Sequence, residues 1–203
     1  MRIDAVLFDV FGTLCDIRRK RHPFLALAKR TSSPRSVIEM AMTRDISGED
    51  IGRRFDVSSG EVRRFTAELH DELASIDLFA DADTVLGTLS ASGVKIGLVS
   101  NLAKQYAEPA LDQLPLRPDV CIWSFECGWL KPDARIFALA CNSLDMKPEN
   151  VLMVGDSLLA DYRGARSFGM QAVLLDRHSV GPEDCISVQS LGSILSIVND
   201  SKK

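Results

Sequence analysis

The chain has 203 residues, of which 46% are hydrophobic and 26% charged, and its formal net charge at pH 7 is -4. This composition is typical of a globular protein and gives no general attraction to nucleic acid or to an anionic membrane. No apolar run approaches the roughly 18 residues of a membrane-spanning helix, and the first residues lead into a strand pattern without a signal-peptide pattern.

The cysteines indicate a reducing compartment. They are five in number and scattered, which suits neither a disulfide framework nor a zinc site: Cys15, Cys121, Cys127, Cys141 and Cys185. We therefore expect a cytoplasmic protein in which most cysteines are small buried apolar groups.

Short apolar runs alternate with helical patterns along most of the chain. The predicted strands are residues 3–9, 94–100, 120–125, 151–155 and 172–175. Amphipathic helices are predicted at residues 82–92, 104–114, 132–144, 158–168 and 190–198. This alternation predicts an α/β fold with a doubly wound, largely parallel sheet, that is, a Rossmann-like core.

One interval lacks the alternation. Between Leu14 and about Leu78 the sequence has no strand pattern and only helical stretches, with start signals at Pro23, at Pro34 and at the capping-box sequence of residues 58–61. We interpret residues 16–78 as an inserted α-helical cap, with residues 1–15 and 79–203 forming the α/β core.

Polar residues follow or lie near the ends of the predicted strands, where a parallel sheet brings dispersed side chains together in one crevice. They are Asp9, Ser100, Asn101, Lys131, Asp156 and Asp161. Each has a structural alternative, because Ser100 or Asp156 could cap a helix and Asp161 could favour a helix N-terminus. After Asp9, Gly12 suits a tight turn, and Thr13 offers a hydroxyl and a backbone N–H to an anion.

In this order the residues resemble the four motifs of the haloacid dehalogenase superfamily, which includes phosphatases, phosphomutases, phosphonatases and dehalogenases. The motifs are Asp9–Thr13, Ser100-Asn101, Lys131-Pro132 and Gly155-Asp156 through Asp161. The resemblance covers essentially the whole chain, including a helical cap after the first motif.

The resemblance implies a role for each position. Asp9 would be the nucleophile that forms a covalent aspartyl intermediate. Ser100 would hold the transferring group together with Asn101, and Lys131 would pair with Asp9 and with the developing negative charge. Mg²⁺ would be held by Asp9, Asp156 and the backbone carbonyl of Phe11, and Asp161 would support it directly or from behind.

The charges argue for a metal independently. Three aspartates that converge with one lysine leave about two negative charges uncompensated, and oxygen-only ligands suit Mg²⁺. The alternatives are a protonated aspartate or pairing with Arg163 or Arg166.

Phe11 departs from the phosphatase pattern. The resemblance implies a second aspartate at this position, acting as general acid and base, and a phenyl ring cannot transfer a proton. An aromatic residue here is typical of the metal-free haloacid dehalogenases, whereas an acidic Asp156 is typical of the phosphatases.

We predict Mg²⁺-dependent hydrolysis of a small phosphorylated metabolite through an aspartyl-phosphate. The alternatives are a metal-free 2-haloacid dehalogenase and a pseudoenzyme that binds a phosphorylated ligand. The phosphonatase branch, which uses a cap lysine, would have Lys20 or Lys29 available.

The predicted partner is a small anionic substrate, either a phosphorylated metabolite or a 2-haloacid. The basic run at residues 18–22 could meet such an anion or simply be a solvated surface. Residues 46–69 also resemble a helix-turn-helix, but the acidic balance of the chain favours neither nucleic acid nor membrane as a partner. The sequence does not indicate the oligomeric state.

Overall fold

The computed structural model describes residues 2–179 and 181–201 of the chain. Residues 1, 180, 202 and 203, which were assigned to the predicted core, lie outside the described residues. In chain order the strands are β1 Ala5–Phe8, β2 Cys15–Ile17, β3 Ile76–Leu78, β4 Lys95–Ser100, β5 Val120–Trp123, β6 Val151–Gly155, β7 Gln171–Leu175 and β8 Ser187–Val188.

The main sheet is parallel and has the strand order β5-β4-β1-β6-β7-β8. Strand β1 is central: Phe8 is in register with Leu98 of β4 and with Val154 of β6. From β1 the chain first runs outward to β4 and β5 and then crosses back to β6. The switch point of this doubly wound sheet is therefore at the carboxyl end of β1, where ligands bind in such folds.

The helices are α1 Pro23–Ala28, α2 Pro34–Thr43, α3 Gly48–Arg54, α4 Ser59–Leu73, α5 Ala80–Ala91, α6 Ala107–Leu111, α7 Ser124–Cys127, α8 Ala134–Leu144, α9 Gly164–Phe168 and α10 Gly192–Asp200. A 3₁₀ turn at Lys104–Tyr106 precedes α6, another lies at Pro148–Asn150, and a π-helical segment at Leu158–Arg163 precedes α9. Among the described residues no helix is long and apolar enough to cross a membrane.

The sheet has a hydrophobic core on each face. Along β1, Val6 and Phe8 belong to one core, and Ala5 and Leu7 to the other, as the two-residue period of a strand requires. All four side chains are fully buried, which explains why β1 reads as a continuous apolar run. The α/β fold predicted from the sequence is confirmed.

Two predictions about strands were wrong. The interval between Leu14 and Leu78 contains β2 and β3, which pair antiparallel with Cys15 opposite Leu78 and Ile17 opposite Ile76. The sheet also has a sixth strand, β8, paired with β7. These strands are two or three residues long, too short for an apolar period to stand out.

The four helices α1 to α4 lie between β2 and β3, and their starts follow local signals. Pro23 and Pro34 begin α1 and α2, and the Ser58 side chain caps α4 by accepting a hydrogen bond from the Glu61 N–H at 3.3 Å. The predicted cap, residues 16–78, corresponds to this segment, and we keep that boundary as a proposal.

The end of α2 is joined to the loops after β4 and β5. The Ser124 hydroxyl donates to the Met42 carbonyl at 2.6 Å, and the Gln105 amide donates to the Ile46 carbonyl at 2.8 Å. Lys104 forms an ion pair with Asp45 at 2.5 Å. These contacts hold the helical segment over the carboxyl edge of the sheet.

Candidate active site

Asp9 lies directly after β1 and forms hydrogen bonds with both of the strands that flank β1. Its backbone N–H donates to the Val154 carbonyl of β6 at 2.9 Å, and its side chain accepts from the Ser100 hydroxyl, the last residue of β4, at 2.9 Å. Ser100 therefore serves Asp9 and does not cap a helix. The parallel pairing of β4, β1 and β6 brings these residues together.

Lys131 joins the two carboxylates of Asp9 and Asp161. Its Nζ lies 2.7 Å from Asp9 Oδ1 and 2.5 Å from Asp161 Oδ1, and its side chain is only 2% exposed. Burial by itself would lower the pKa of Lys131, but the charges of Asp9 and Asp161 raise it above its usual value. The ammonium group is therefore charged.

Asn101 positions Lys131 through the backbone. The Asn101 side-chain oxygen accepts from the Lys131 N–H at 2.8 Å, and its amide donates to the Lys131 carbonyl at 3.0 Å. These two hydrogen bonds leave one amide hydrogen of Asn101 for another acceptor. Its predicted role in phosphate binding stays a prediction.

Three carboxylates meet at this edge of the sheet. Asp9, Asp156 and Asp161 each offer an oxygen, and these oxygens all lie within 4.8 Å of one another. Asp156 follows β6, and Asp161 lies one turn later, where its Oδ2 accepts from the Ser157 N–H at 2.9 Å. Ser157, not Asp156, caps the following helical segment.

Two glycines provide the space for these carboxylates. A Cβ on Gly12 would lie 2.1 Å from Asp156 Oδ2, and a Cβ on Gly155 would lie 2.3 Å from the Asp161 carboxyl carbon. Gly12 also has a φ of +86°, which side chains other than glycine rarely adopt. The sequence suggested Gly12 only as a turn residue, and its contact with Asp156 emerges from the fold.

The carboxylates carry more negative charge than the site compensates. Burial, followed by the charges of Asp9 and Asp161, raises the pKa of Asp156 to about 6. Burial also raises the pKa of Asp161, although Lys131 opposes this. Asp156 forms no ion pair with another described residue, and Arg163 instead lies 3.8 Å from Asp184.

This donor set fits a hard divalent cation. Three aspartate oxygens within 4.8 Å of one another, with a net negative charge and with Asp156 exposed to solvent, are the kind of ligands that Mg²⁺ prefers in proteins. The Phe11 carbonyl belongs to the peptide next to Gly12, which touches Asp156. Its role as a ligand stays a prediction.

Thr13 is placed differently from the other predicted residues. It is fully buried, its N–H donates to the Val10 carbonyl at 3.3 Å, and its hydroxyl has no partner among the described residues. Its carbonyl accepts from Arg177, which also forms a double ion pair with Asp81 at 3.0 Å. Anion binding by Thr13 stays a prediction, and Arg177 is a support of this loop that the sequence did not indicate.

Phe11 packs against Tyr106, which in turn bonds to Glu72, and neither contact was predicted from the sequence. Its ring lies edge-on to Tyr106, with ring centres 5.7 Å apart. The Tyr106 hydroxyl donates to Glu72 of α4 at 2.8 Å, and the other Glu72 oxygen accepts from the N–H groups of Arg21 and His22. The helical spacing of Phe65, Leu69 and Glu72 could have indicated this contact. The three residues share one face of α4, so the acidic Glu72 occupies a position on the buried face.

The basic run after the first motif is mostly neutralised. Arg19 and Arg21 pair with Asp71, Arg18 pairs with Asp77, and Lys20 lies 3.1 Å from Asp16. Lys29 borders a groove on the outer side of α1 and α4. A second, mostly apolar cavity lies beside Phe11, between the helical segment and the loop after β4, and neither Lys20 nor Lys29 borders it.

Known proteins with similar sequences include both phosphatases and dehalogenases. A family model described as haloacid dehalogenase-like hydrolase matches residues 3–169. The chain is 29% identical to the putative pyrophosphatase PpaX of Clostridium perfringens over 88% of this chain and 89% of that protein. It is 29% identical to (S)-2-haloacid dehalogenase 1 of Pseudomonas sp. over 86% of this chain and 85% of that protein. It is 31% identical to the glyceraldehyde 3-phosphate phosphatase of Methanopyrus kandleri over 86% of this chain and 84% of that protein.

A solved structure of a HAD phosphatase from Thermococcus onnurineus has the same fold, with a TM-score of 0.67, 24% identity and 98% of each chain covered. Three observations lead to the same family. They are the order of the motifs, the meeting of their side chains at one sheet edge and the extent of the family match. The chain belongs to the haloacid dehalogenase-like hydrolases.

Proposed function

We propose that this protein is a Mg²⁺-dependent phosphohydrolase that acts on a small phosphorylated compound through an aspartyl-phosphate on Asp9. The observation that carries the proposal is the cluster of Asp9, Asp156 and Asp161 around a single lysine, because its excess negative charge needs a cation. Relatives that are named phosphatases support the same chemistry.

Asp9, Asp156 and the Phe11 carbonyl would hold Mg²⁺, with Asp161 behind them. When bound, the cation would supply neutralising charge for the phosphoryl oxygens. Lys131 and the Ser100 hydroxyl, which now bond to Asp9 Oδ1, would donate to the phosphoryl group as it approaches.

In the first step a carboxylate oxygen of Asp9 attacks phosphorus. An Asp9 O–P bond forms, the bond from phosphorus to the ester oxygen breaks, and the leaving group departs with the electron pair. Asp9 Oδ1 accepts both hydrogen bonds from Ser100 and Lys131, and Oδ2 accepts none from the described residues. In the second step water adds to phosphorus, the Asp9 O–P bond breaks with its electron pair returning to the Asp9 carboxylate, and both protons of the water stay on the departing phosphate.

Phe11 slows both steps, because a phenyl ring can neither protonate the leaving oxygen nor activate the water. General acid–base assistance is typically worth about 10²–10⁴ in rate, and a phenyl ring gives none. The missing acid therefore slows hydrolysis least for substrates whose leaving group departs as a stable anion.

The test is phosphate release from 4-nitrophenyl phosphate and acetyl phosphate, each with Mg²⁺ and with EDTA. We expect release with Mg²⁺ only, and Asp9→Asn should lower it by about 10⁴-fold or more. Asp83→Asn, an exposed aspartate on α5, is the matched control and should leave the rate unchanged. Release that survives Asp9→Asn would mean that the nucleophile is misassigned.

The second candidate is a metal-free 2-haloacid dehalogenase, favoured by the aromatic residue at position 11 and by the relative of that name. Against it, the cavity next to Phe11 has no lysine or arginine among its described lining residues to hold the carboxylate of a haloacid. Chloride release from 2-chloropropionate that is insensitive to EDTA, without phosphate release, would establish this alternative. Mg²⁺ binding without either release would favour a binding protein.

A further inference from the structure

We propose that the site selects small aryl phosphates whose aromatic ring, without charged substituents, is held in the cavity beside Phe11. The proposal rests on the phosphohydrolase function above and specifies its substrate class. The cavity lies between the helical segment and the loop after β4 and has a volume of about 240 Å³.

The position of the cavity ties it to the chemistry. Phe11 and Asn101 border it, and these residues belong to the same loops as Asp9 and Ser100. Asn101 is also bonded to Lys131, whose Nζ contacts Asp9. An ester oxygen that departs from phosphorus on the side away from Asp9, toward these loops, would therefore have its substituent in the cavity.

The wall is almost entirely apolar. Its apolar side chains come from the loop after β1, from β2, α1 and α2, and from the segment after β4: Phe11, Ile17, Pro23, Phe24, Leu25, Ile38, Met42, Leu102, Ala103 and Tyr106. Tyr106 packs against two further rings, at 5.7 Å from Phe11 and 6.2 Å from Phe24. Such a group of rings contacts an aromatic ligand through stacked or edge-on geometries.

Most polar groups on the wall are already engaged, although one amide hydrogen of Asn101 remains. Glu72 accepts from the Tyr106 hydroxyl and from two backbone N–H groups, and Asn101 bonds the Lys131 backbone. Only the His22 side chain has no hydrogen-bond partner among the described residues, and it is exposed, at the rim with Leu25. A sugar or other polyol would therefore lose hydrogen bonds to water that this wall does not replace.

Charge excludes a second anionic group on the substrate. The described lining has no lysine or arginine, and the carboxylate of Glu72 adds a negative charge. The nearby arginines Arg19 and Arg21 are paired with Asp71. The second anionic group of a bisphosphate or of a phosphorylated acid would therefore have no cationic partner in this cavity.

Size and leaving-group chemistry agree with an aryl ester. A dry cavity of about 150 Å³ lined by apolar side chains is enough to hold benzene. A phenol ionises with a pKa near 10, against 15.7 for water, so a phenolate needs far less protonation to leave than an alkoxide. The cavity and the missing acid at Phe11 thus point to the same substrate class.

The test compares two substrates whose phenols differ little in acidity, 4-methylphenyl phosphate and O-phosphotyrosine, with Mg²⁺. We expect kcat/KM to be at least about tenfold higher for 4-methylphenyl phosphate, because the ammonium and carboxylate of phosphotyrosine would be unpaired on this wall. Equal or faster turnover of phosphotyrosine, or of glucose 6-phosphate, would overturn the proposal while leaving the phosphohydrolase function intact. Release from no ester at all would instead remove the function on which the proposal rests.

A variant separates recognition from intrinsic reactivity. Met42→Ala enlarges the cavity and should raise the ratio of kcat/KM for 1-naphthyl over phenyl phosphate several-fold. Leu139→Ala, on α8 and outside the lining, is the control and should leave that ratio unchanged. An unchanged ratio in Met42→Ala would place the leaving group elsewhere. Independently of turnover, benzylphosphonate should bind more tightly than methylphosphonate in calorimetry, and the opposite order would also overturn the proposal.

Discussion

Phe11 lies two residues after Asp9 and directly before Gly12, which contacts Asp156, and its ring packs edge-on against Tyr106. That contact explains how an aromatic side chain is accommodated at the edge of a highly charged cluster: one side of the loop faces carboxylates and the other faces the apolar cavity. A carboxyl group at position 11 would be a fourth acid near the cluster. Like charges would raise its pKa, which is what a general acid requires.

Phe11→Asp should therefore restore proton transfer. We expect kcat/KM for an alkyl phosphate such as butyl phosphate to rise by about 10²-fold, and that for 4-nitrophenyl phosphate to change much less. The measurement is phosphate release from both esters with Mg²⁺. Phe11→Asn, of the same size but without an acid, is the control. Equal gains in both variants would mean that the added space, not the proton, is responsible.

At the scale of elements, Glu72 links three parts of the chain. It comes from α4, bonds the backbone of the segment before α1, and accepts from Tyr106 in the turn after β4. Burial, with Glu72 beside it, raises the pKa of Tyr106, so the phenol stays neutral and donates. The helical segment is thereby joined to the sheet edge that carries Ser100.

Tyr106→Phe should destabilise the protein by about 1–3 kcal/mol, because the buried Glu72 carboxylate loses its hydroxyl donor. The free energy of unfolding from urea titration measures this. Thr66→Ala on the same helix removes a hydroxyl that bonds only the Val62 carbonyl within α4, and we expect a change within about 0.5 kcal/mol. If Tyr106→Phe were as mild as this control, the link would contribute little to stability.

At the scale of the whole molecule, the parallel sheet brings together residues that are distant in sequence. Ser100 lies 91 residues from Asp9, and Lys131 lies 122 residues from it. The resulting cluster has a charge that opposes folding at neutral pH. Asp156, with its pKa raised to about 6, favours the folded state in its protonated form and loses that contribution as the pH rises through about 6.

Added Mg²⁺ should therefore raise the melting temperature more at pH 7.5 than at pH 5. Below about pH 6 a proton competes with the cation for Asp156, and above it the carboxylate is free to bind. Thermal melts with Mg²⁺ and with EDTA at both pH values measure the difference. Asp156→Asn should melt higher than the parent at pH 7.5 in EDTA and show little response to Mg²⁺. An equal response to Mg²⁺ at both pH values would contradict this assignment.

The sequence by itself determined the α/β fold, because the continuous apolar runs of buried strands and the amphipathic period of the helices are local properties. It also placed Asp9, Ser100, Lys131 and Asp156 after or near strand ends, with Asp161 in the next turn, and a parallel sheet carries such residues to one edge. All five meet in the structure. The helix starts at Pro23 and Pro34 were equally readable, since a proline at the first turn is a local signal.

Only the tertiary structure decided which partners the polar groups take. Glu72 and Arg177 look like surface charges in the sequence, yet one is buried against Tyr106 and the other supports the Thr13 carbonyl. The strands β2, β3 and β8 are stabilised by pairing with distant segments and not by their own composition. The cavity beside Phe11 likewise arises from segments between residues 11 and 106 packed together, and no local pattern encodes a space shared by several elements.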